Sequence, residues 1–382
     1  MIVPLVTHGA PDPGHPAVVA IVDSAGKTAC SGTVVDPHFV LTAAHCVVPQ
    51  IQHGARVVFG ASVASSTQSV PVALLRADPA YDPNSFTADA ALVVLGAAAP
   101  VALAQLGTQP PSTGSIVTVV GWGETGVDAG DDGTKRVGSA MVSAVAPLSF
   151  DVDPDPSQPC VGDSGGAGFA PGSGGGELLV GITSHGDVAC ATRATFTRVD
   201  AVTADFIAPT LAALGPGTAA VGARCYYPEQ CKTGGAGACI TASDQPGLTY
   251  CTTACTSSAA CPTGMVCDTN VGGGSCVYGA PTPGAFGGAC KVDGDCYDGV
   301  CGGGICTVRC VPTDDTCPSG SSCQNLDGGI DFYCVPQPPS SAPAGGCSVD
   351  VAPEGGPAGA VALELAALAF IVRARRRTRS PW

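Results

Sequence analysis

Sixteen of the 21 cysteines in this 382-residue chain stand between Cys225 and Cys334, and that crowding limits what the region can fold into. They form two groups of eight, at 225, 231, 239, 251, 255, 261, 267 and 276, then at 290, 296, 301, 306, 310, 317, 323 and 334. The later halves nearly superimpose: Cys251-x3-Cys255-x5-Cys261-Pro262-x-Gly264-x2-Cys267 against Cys306-x3-Cys310-x6-Cys317-Pro318-x-Gly320-x2-Cys323. Such self-similarity marks an internal repeat. A unit of about fifty residues is too small for a self-sufficient core and needs covalent staples. Eight cysteines allow 105 pairings, and the sequence does not choose among them. Zinc is the other use for clustered cysteine. All six histidines precede the repeats and neither repeat holds a Cys-x2-Cys pair, so zinc-ligand spacing is missing and disulfides are the better reading. No metal or other cofactor is expected.

Dense cysteine of this kind belongs to an oxidising, extracytoplasmic setting. That setting calls for an export signal, yet Met1-Ile2-Val3-Pro4-Leu5 has no basic start and no apolar run of useful length. The expectation is a leader missing from the start of the sequence. Only 12% of residues are charged and the formal net charge is −15, which argues against nucleic acid or an anionic membrane as partner of the main body.

Before the repeats the chain reads as short apolar runs broken by Gly, Pro, Asp and Ser. Ala17–Val22, Thr33–Val35, Phe39–Leu41, Arg56–Phe59, Val70–Leu75, Ala91–Leu95, Ser115–Val120 and Leu178–Ile182 predict an all-β barrel or sandwich. A helical period comes only at Val202–Leu214, ending at Gly215. The expected organisation is a β domain over 1–215, a linker over 216–222, disulfide-rich units over 223–279 and 289–336 joined by 280–288, a Pro/Ser/Gly spacer over 337–346 and a C-terminal segment over 347–382. In that last segment Cys347 precedes an apolar run, Ala358–Val372, interrupted by Glu364 and followed by Arg373, Arg375, Arg376, Arg377 and Arg379. The run is shorter than the roughly 20 residues of a membrane-crossing helix. An apolar helix stopped by arginines still fits membrane retention with the basic end cytoplasmic; an amphipathic tail is the plainer alternative.

The stretch that carries chemistry is Cys160-Val161-Gly162-Asp163-Ser164-Gly165-Gly166. A serine between glycines can be exposed on a tight turn where a substrate carbonyl reaches the amides. Its hydroxyl becomes a nucleophile only beside a base, itself oriented by a third group. The candidate base is His45, in Thr42-Ala43-Ala44-His45-Cys46. His8 and His15 lie in a Pro/Gly-rich lead-in, His38 and His53 in turn contexts, and His185 after a strand. The candidate orienter is Asp89, ahead of the apolar strand Ala91–Leu95. Taken alone, Asp89 reads as easily as a strand-entry or capping residue. Asp78 and Asp82, in Pro-rich turns, are expected to be exposed.

Together, Thr42-Ala43-Ala44-His45-Cys46, Asp89-Ala90-Ala91-Leu92, Gly121-Trp122-Gly123 and Gly162-Asp163-Ser164-Gly165-Gly166 resemble the motifs of chymotrypsin/trypsin-like serine peptidases, in the family's order and near its spacing, over residues 6–214. The resemblance implies two packed six-stranded β-barrels with the active site between them. It implies His45 as general base then acid, Asp89 as orienter, Ser164 as nucleophile, and the amides of Gly162 and Ser164 as oxyanion hole. It further implies the bridges Cys30–Cys46 and Cys160–Cys190. Ser184, His185 and Gly186 would pair with a protein or peptide substrate by strand addition. His185 stands where the family usually has Trp and makes that surface more polar. Gln158 would form the floor of the specificity pocket, with Gly186 and Ala194 lining it. A neutral, open pocket suits an apolar or uncharged side chain, although Asp187 is close in sequence. A freed Val6 amine would be buried against Asp163 on activation.

The tail resembles the C-terminal sorting signals of myxobacterial surface proteins, with Cys347 as a processing or anchoring site and contact with the membrane or envelope. The resulting reading is a secreted or surface-held serine endopeptidase carrying two disulfide-rich units. The alternative is a non-catalytic surface binding protein on the same scaffold; retention of His45, Asp89, Ser164 and Gly162 argues against it.

Overall fold

The computed structural model describes residues 6–47, 54–231, 237–297, 300–310, 317–326 and 332–337. Six antiparallel strands form the first barrel: β1 (Val18–Val22), β2 (Thr28–Asp36), β3 (Phe39–Thr42), β4 (Arg56–Val58), β5 (Ser69–Ala77) and β6 (Ala91–Leu95). They close in the order β1-β2-β3-β6-β5-β4. The second barrel consists of β7 (Ile116–Gly121), β8 (Arg136–Val145), β9 (Ser149–Pro154), β10 (Ala167–Pro171), β11 (Glu177–Gly186) and β12 (Ala194–Arg198). Its order is β7-β8-β9-β12-β11-β10, closed by β10 on β7. The two barrels therefore repeat one topology, and full closure leaves neither with a free sheet edge.

Apolar strands of β-branched residues supply the interiors. Ile21, Phe39, Leu41, Leu92 and Leu95 are fully buried in the first cluster, and Val117, Val119, Phe150, Val152 and Phe196 in the second. Phe150 and Phe196 stack 5.1 Å apart at 6°. Strands such as Ala91–Leu95 were legible from apolar runs. The strand β8, Arg-Val-Gly-Ser-Ala-Met-Val-Ser-Ala-Val, was not, because small residues dilute its alternation. The closing helical segment starts earlier than its apolar period suggested. It runs from Val199–Val202 through a π-helical turn, Thr203–Ile207, to Ala208–Leu214.

In the cysteine-rich region the bonds are Cys225–Cys239, Cys231–Cys251, Cys255–Cys267 and Cys261–Cys276, then Cys290–Cys301, Cys296–Cys306, Cys310–Cys323 and Cys317–Cys334. Both groups thus join first to third, second to fourth, fifth to seventh and sixth to eighth. The chain divides into two compact units after Ala285. Within the first unit, Tyr227 is buried against the first barrel. Its ring stacks on His38 at 3.7 Å and 5°, and its hydroxyl donates to the Leu214 carbonyl at 2.7 Å. His38, expected in a turn, is buried by that contact. Asp78 corrects another expectation. It is 8% exposed rather than a surface loop residue: its amide donates to the Ala90 carbonyl at 2.8 Å and its Oδ1 accepts the Ala80 amide, while Pro79 and Ala80 beyond it are exposed. Among the described residues no helix is long and apolar enough to cross a membrane. Cys347 and the apolar and arginine-rich tail lie outside the described residues.

Candidate active site

β3 ends at Thr42, and a single helical turn, α1 (Ala44–Val47), follows it and carries His45. The β3–β6 register sets Thr42 opposite Ala91, which brings Asp89 beside that turn. Asp89 then holds His45 at two points. Its Oδ1 accepts the His45 backbone N–H at 2.9 Å, and its Oδ2 lies 2.8 Å from ring Nδ1. An ionised carboxylate only accepts, so Nδ1 carries the proton and Nε2 keeps its lone pair for the cleft. Ser184 Oγ donates to the same Oδ2 at 2.5 Å. Asp89 is fully buried, and burial pushes its carboxyl up. The His45 ring, the Ser184 hydroxyl and the His45 amide outweigh that and hold it below the usual carboxylate value. Phe86 and Ala88, just before it, have φ of +54° and +52°, a left-handed backbone that side chains rarely adopt. Cys46 is bonded to Cys30 on β2, fixing the turn to its neighbour strand.

The serine loop is pressed onto the rim of the first barrel. Ser31 on β2 makes the junction: its amide donates to the Ser164 carbonyl at 2.8 Å and its hydroxyl to the Gly162 carbonyl at 3.0 Å. The same hydroxyl accepts the Trp122 amide at 2.9 Å. A Cβ on Gly165 would lie 2.0 Å from Thr42 Oγ1, so only glycine lets the loop approach this near to the end of β3. Gly162 has φ of +89°. Within the turn, Asp163 donates its amide to the Cys160 carbonyl, Gly165 to Thr183 and Gly166 to Asp163. Among the described residues the amides of Gly162 and Ser164 have no partner, and no hydrogen bond joins Ser164 Oγ to His45. Cys160 is bonded to Cys190.

Asp163 is wholly buried behind the loop, its carboxylate accepting the amides of Gly123 at 2.8 Å and Cys160 at 2.9 Å. Cβ atoms on Gly121 or Gly123 would come within 2.1 Å and 2.4 Å of Asp163, which explains both glycines around the buried Trp122. Burial pushes the carboxyl up to about 6, against the two amides and the positive Arg136. Val6 is fully buried in the second barrel's cluster, and Thr7 pairs with Gln158.

Gln158 and Ala194 are fully buried, and Ala194 faces Gly186 across the β11–β12 ladder. Gln158 Nε2 donates to Asp187 Oδ2 at 3.3 Å. Asp187 also accepts the amides of Ala189, Ala191, Thr192 and Arg193. Burial pushes its carboxyl up, but the amides of Arg193 and Thr192, Gln158 and the Ala191 amide outweigh this and depress it. It organises its own loop. Sequence reasoning did not find Asp151, Asp153 and Arg193, which line a neighbouring cleft with His185 and Gly186. They come from strands whose pairing only the barrel decides. Nor did it find Ser31 or the bond from Ser184 to Asp89; a serine in a strand carries no signal of either. The clusters of three possible metal ligands among the described residues consist of disulfide-bonded cysteines, with His45 beside Cys30 and Cys46 in one.

Two six-stranded barrels of one topology, with a serine loop packed on Ser31 and Thr42 of the first barrel and a histidine held by a buried aspartate in the turn after Thr42, define the chymotrypsin-like serine protease fold. The chain belongs to the trypsin family: the profile described as Trypsin matches residues 5–207. Its curated relatives are distant. It is 29% identical over 191 residues to Trypsin of Saccharopolyspora erythraea, covering 45% of this chain and 82% of that protein. It is 32% identical to Chymase of Papio hamadryas, covering 48% and 80%. Human Serine protease 56 is 30% identical over 208 residues, of which this chain spans 34% of the length. Among solved structures, neuropsin, a serine protease expressed in the limbic system of mouse brain, overlays with a TM-score of 0.47 at 23% identity, over 53% of this chain and 98% of that one.

Proposed function

We propose that this protein is a serine endopeptidase acting outside the cytoplasm, with Ser164 as nucleophile. The observation that carries the reading is the two-point hold of Asp89 on His45, which leaves Nε2 as a base beside a serine loop with two unpartnered amides. Ser164 Oγ attacks the substrate carbonyl and its proton passes to His45 Nε2. Charge that gathers on the carbonyl oxygen is met by the Gly162 and Ser164 amides. The amide C–N bond then breaks, His45 protonates the leaving amine, and water repeats the sequence to release the acid. Asp89 keeps the imidazole in the required tautomer and stabilises its charged form.

Ser184, His185 and Gly186 would pair with the substrate backbone. The buried, neutral Gln158 and small Ala194 favour an uncharged side chain in the pocket. Cleavage before Val6 would free an amine to neutralise Asp163, whose raised carboxyl is the natural partner for a buried cation. The disulfides fit an oxidising compartment. The tail from Cys347 would hold the protein at the envelope, and the cysteine-rich units would serve as spacer or binding modules.

Labelling with a fluorophosphonate tests the enzyme. Ser164→Ala should abolish the label and lower peptide hydrolysis by about 10⁶-fold. If the processed wild-type chain takes no label, the scaffold is a binding protein and the reading fails.

A further inference from the structure

Ser184 and His185 are consecutive on β11, where the ladder with β12 slips between Thr183 and His185. Such a bulge re-aims side chains. Here it turns Ser184 inward, 1% exposed, and leaves His185 half-buried on the cleft wall. Ser184 gives its only proton to Asp89 Oδ2, so its oxygen is left to accept. His185 Nδ1 lies 3.1 Å from that oxygen and must carry a proton to bond it. A directed chain results: His185 Nδ1–H to Ser184 Oγ–H to Asp89, on which His45 Nδ1–H converges from the other side at 2.8 Å. A second contact links the same two rings. Phe86 lies edge-on to His45, with centroids 5.7 Å apart, and tilted over His185 at 5.0 Å.

We propose that His185 is a positioning residue: through Ser184 it sets how Asp89 holds His45, and a proton gained by its ring is felt at the His45 ring. Two imidazolium ions sharing one carboxylate oppose each other, so each titration is felt at the other ring. The groups facing His185 are Asp89 and His45 from the first barrel, Asp151 and Asp153 on β9, and Asp187 and Arg193 in the loop before β12. Arg193 lies 3.6 Å from Asp151 and 3.9 Å from Asp153, so one cation offsets part of the negative charge of the two carboxylates. Burial leaves His185 uncharged near neutrality, against the pull of Asp89 and Asp151 and with the help of His45. Its Nδ1–H bond survives in both charge states, while the charge itself appears only in acid.

The rate effect rests on the peptidase reading; the coupling of the rings does not. The experiment follows the His45 Nδ1 proton by NMR on the full chain between about pH 4 and 9, with kcat and KM for a peptide substrate alongside. Wild type should show two inflections at His45. His185→Phe, which keeps a ring against Phe86, should show one and lose about 2- to 10-fold in kcat with KM little changed. His185→Gln, whose amide can donate without titrating, should regain part of the kcat that His185→Phe loses yet still show one inflection. A single inflection in wild type, or variants that change only KM, would overturn the proposal. If wild type takes no fluorophosphonate label but shows both inflections, the peptidase reading falls and the coupling stands.

Discussion

Residues 6–214 and residues 225–334 reach an ordered state by different physics. The barrels hide large side chains such as Phe39, Trp122, Phe150 and Phe196 completely, and use two disulfides. In the cysteine-rich region many of the most buried residues are the cysteines themselves, among them Cys225, Cys251, Cys276 and Cys334, and the described strands are short, in sheets of two or three. The hydrophobic effect grows with the surface a chain can remove from water, and a unit of about fifty residues cannot remove enough. Cross-links make up the shortfall by restricting the unfolded chain. A further contrast follows. With a core thick enough to bury charge, the barrels keep Asp89, Asp163 and the pair of Asp12 with Lys135 inside. Redox conditions should therefore govern one region and pH the other.

The largest effect should come from a reductant. Each bridge in the cysteine-rich region closes 10 to 20 residues of sequence, worth about 3 kcal/mol apiece. Reduction at neutral pH should open 225–334 to protease while hydrogen exchange at Val18–Val22 stays slow. If β1 loses protection at the same reductant concentration, the two regions are not held in different ways.

Acid titration sharpens the other side. The carboxyl of Asp163 is raised in the folded chain to about 6. The folded state therefore keeps a proton that the unfolded state has already lost, and stability falls as pH rises from about 4 to 6, by on the order of 3 kcal/mol. Asp89 works oppositely and outside this window: its depressed carboxyl contributes above its ordinary value and is lost only in stronger acid. Urea midpoints of the uncut chain at both ends of the window should differ, and Asp163→Asn should flatten the difference. An unchanged slope in that variant would remove Asp163 from the account.

The smallest effect belongs to His15. Its Nδ1 lies 3.0 Å from Asp12 and its Nε2 2.9 Å from Glu177, and it stacks on Phe169. The bond to Asp12 raises its ring above the usual histidine value, against burial and with Glu177 adding to the rise. The clamp is present in full below the unfolded value and disappears as pH rises through the folded one. His15→Gln should lower the melting temperature slightly near pH 6 and leave it unchanged near pH 9. Equal shifts at both would mean the ring acts by packing alone.

Much of the site was legible. His45, Asp89 and Ser164 could be singled out as candidates because the residues around each form short local strings, and the apolar strands Val18–Val22 and Ala91–Leu95 showed themselves by composition. Strand β8 was hidden by its small residues, and Asp78 by the exposed turn that follows it, since its burial comes from pairing with Ala90, twelve residues on. The two contacts that complete Asp89 span 44 and 95 residues, and the bond from Ser184 to His185 needs a slipped ladder to form.

The sequence by itself determined which chemical groups are available: the serine among glycines, the histidine, the acids, and eight cysteines in each repeat. Only the tertiary structure decided their pairing. It selected the bridges from 105 possibilities, set Asp187 against Gln158 and the amides of its own loop, and linked a second histidine to Asp89 through Ser184. The physical reason is range. Side-chain chemistry and turn preference act over a few residues, whereas hydrogen-bond partners across a closed barrel are set by strand register, to which distant segments contribute equally.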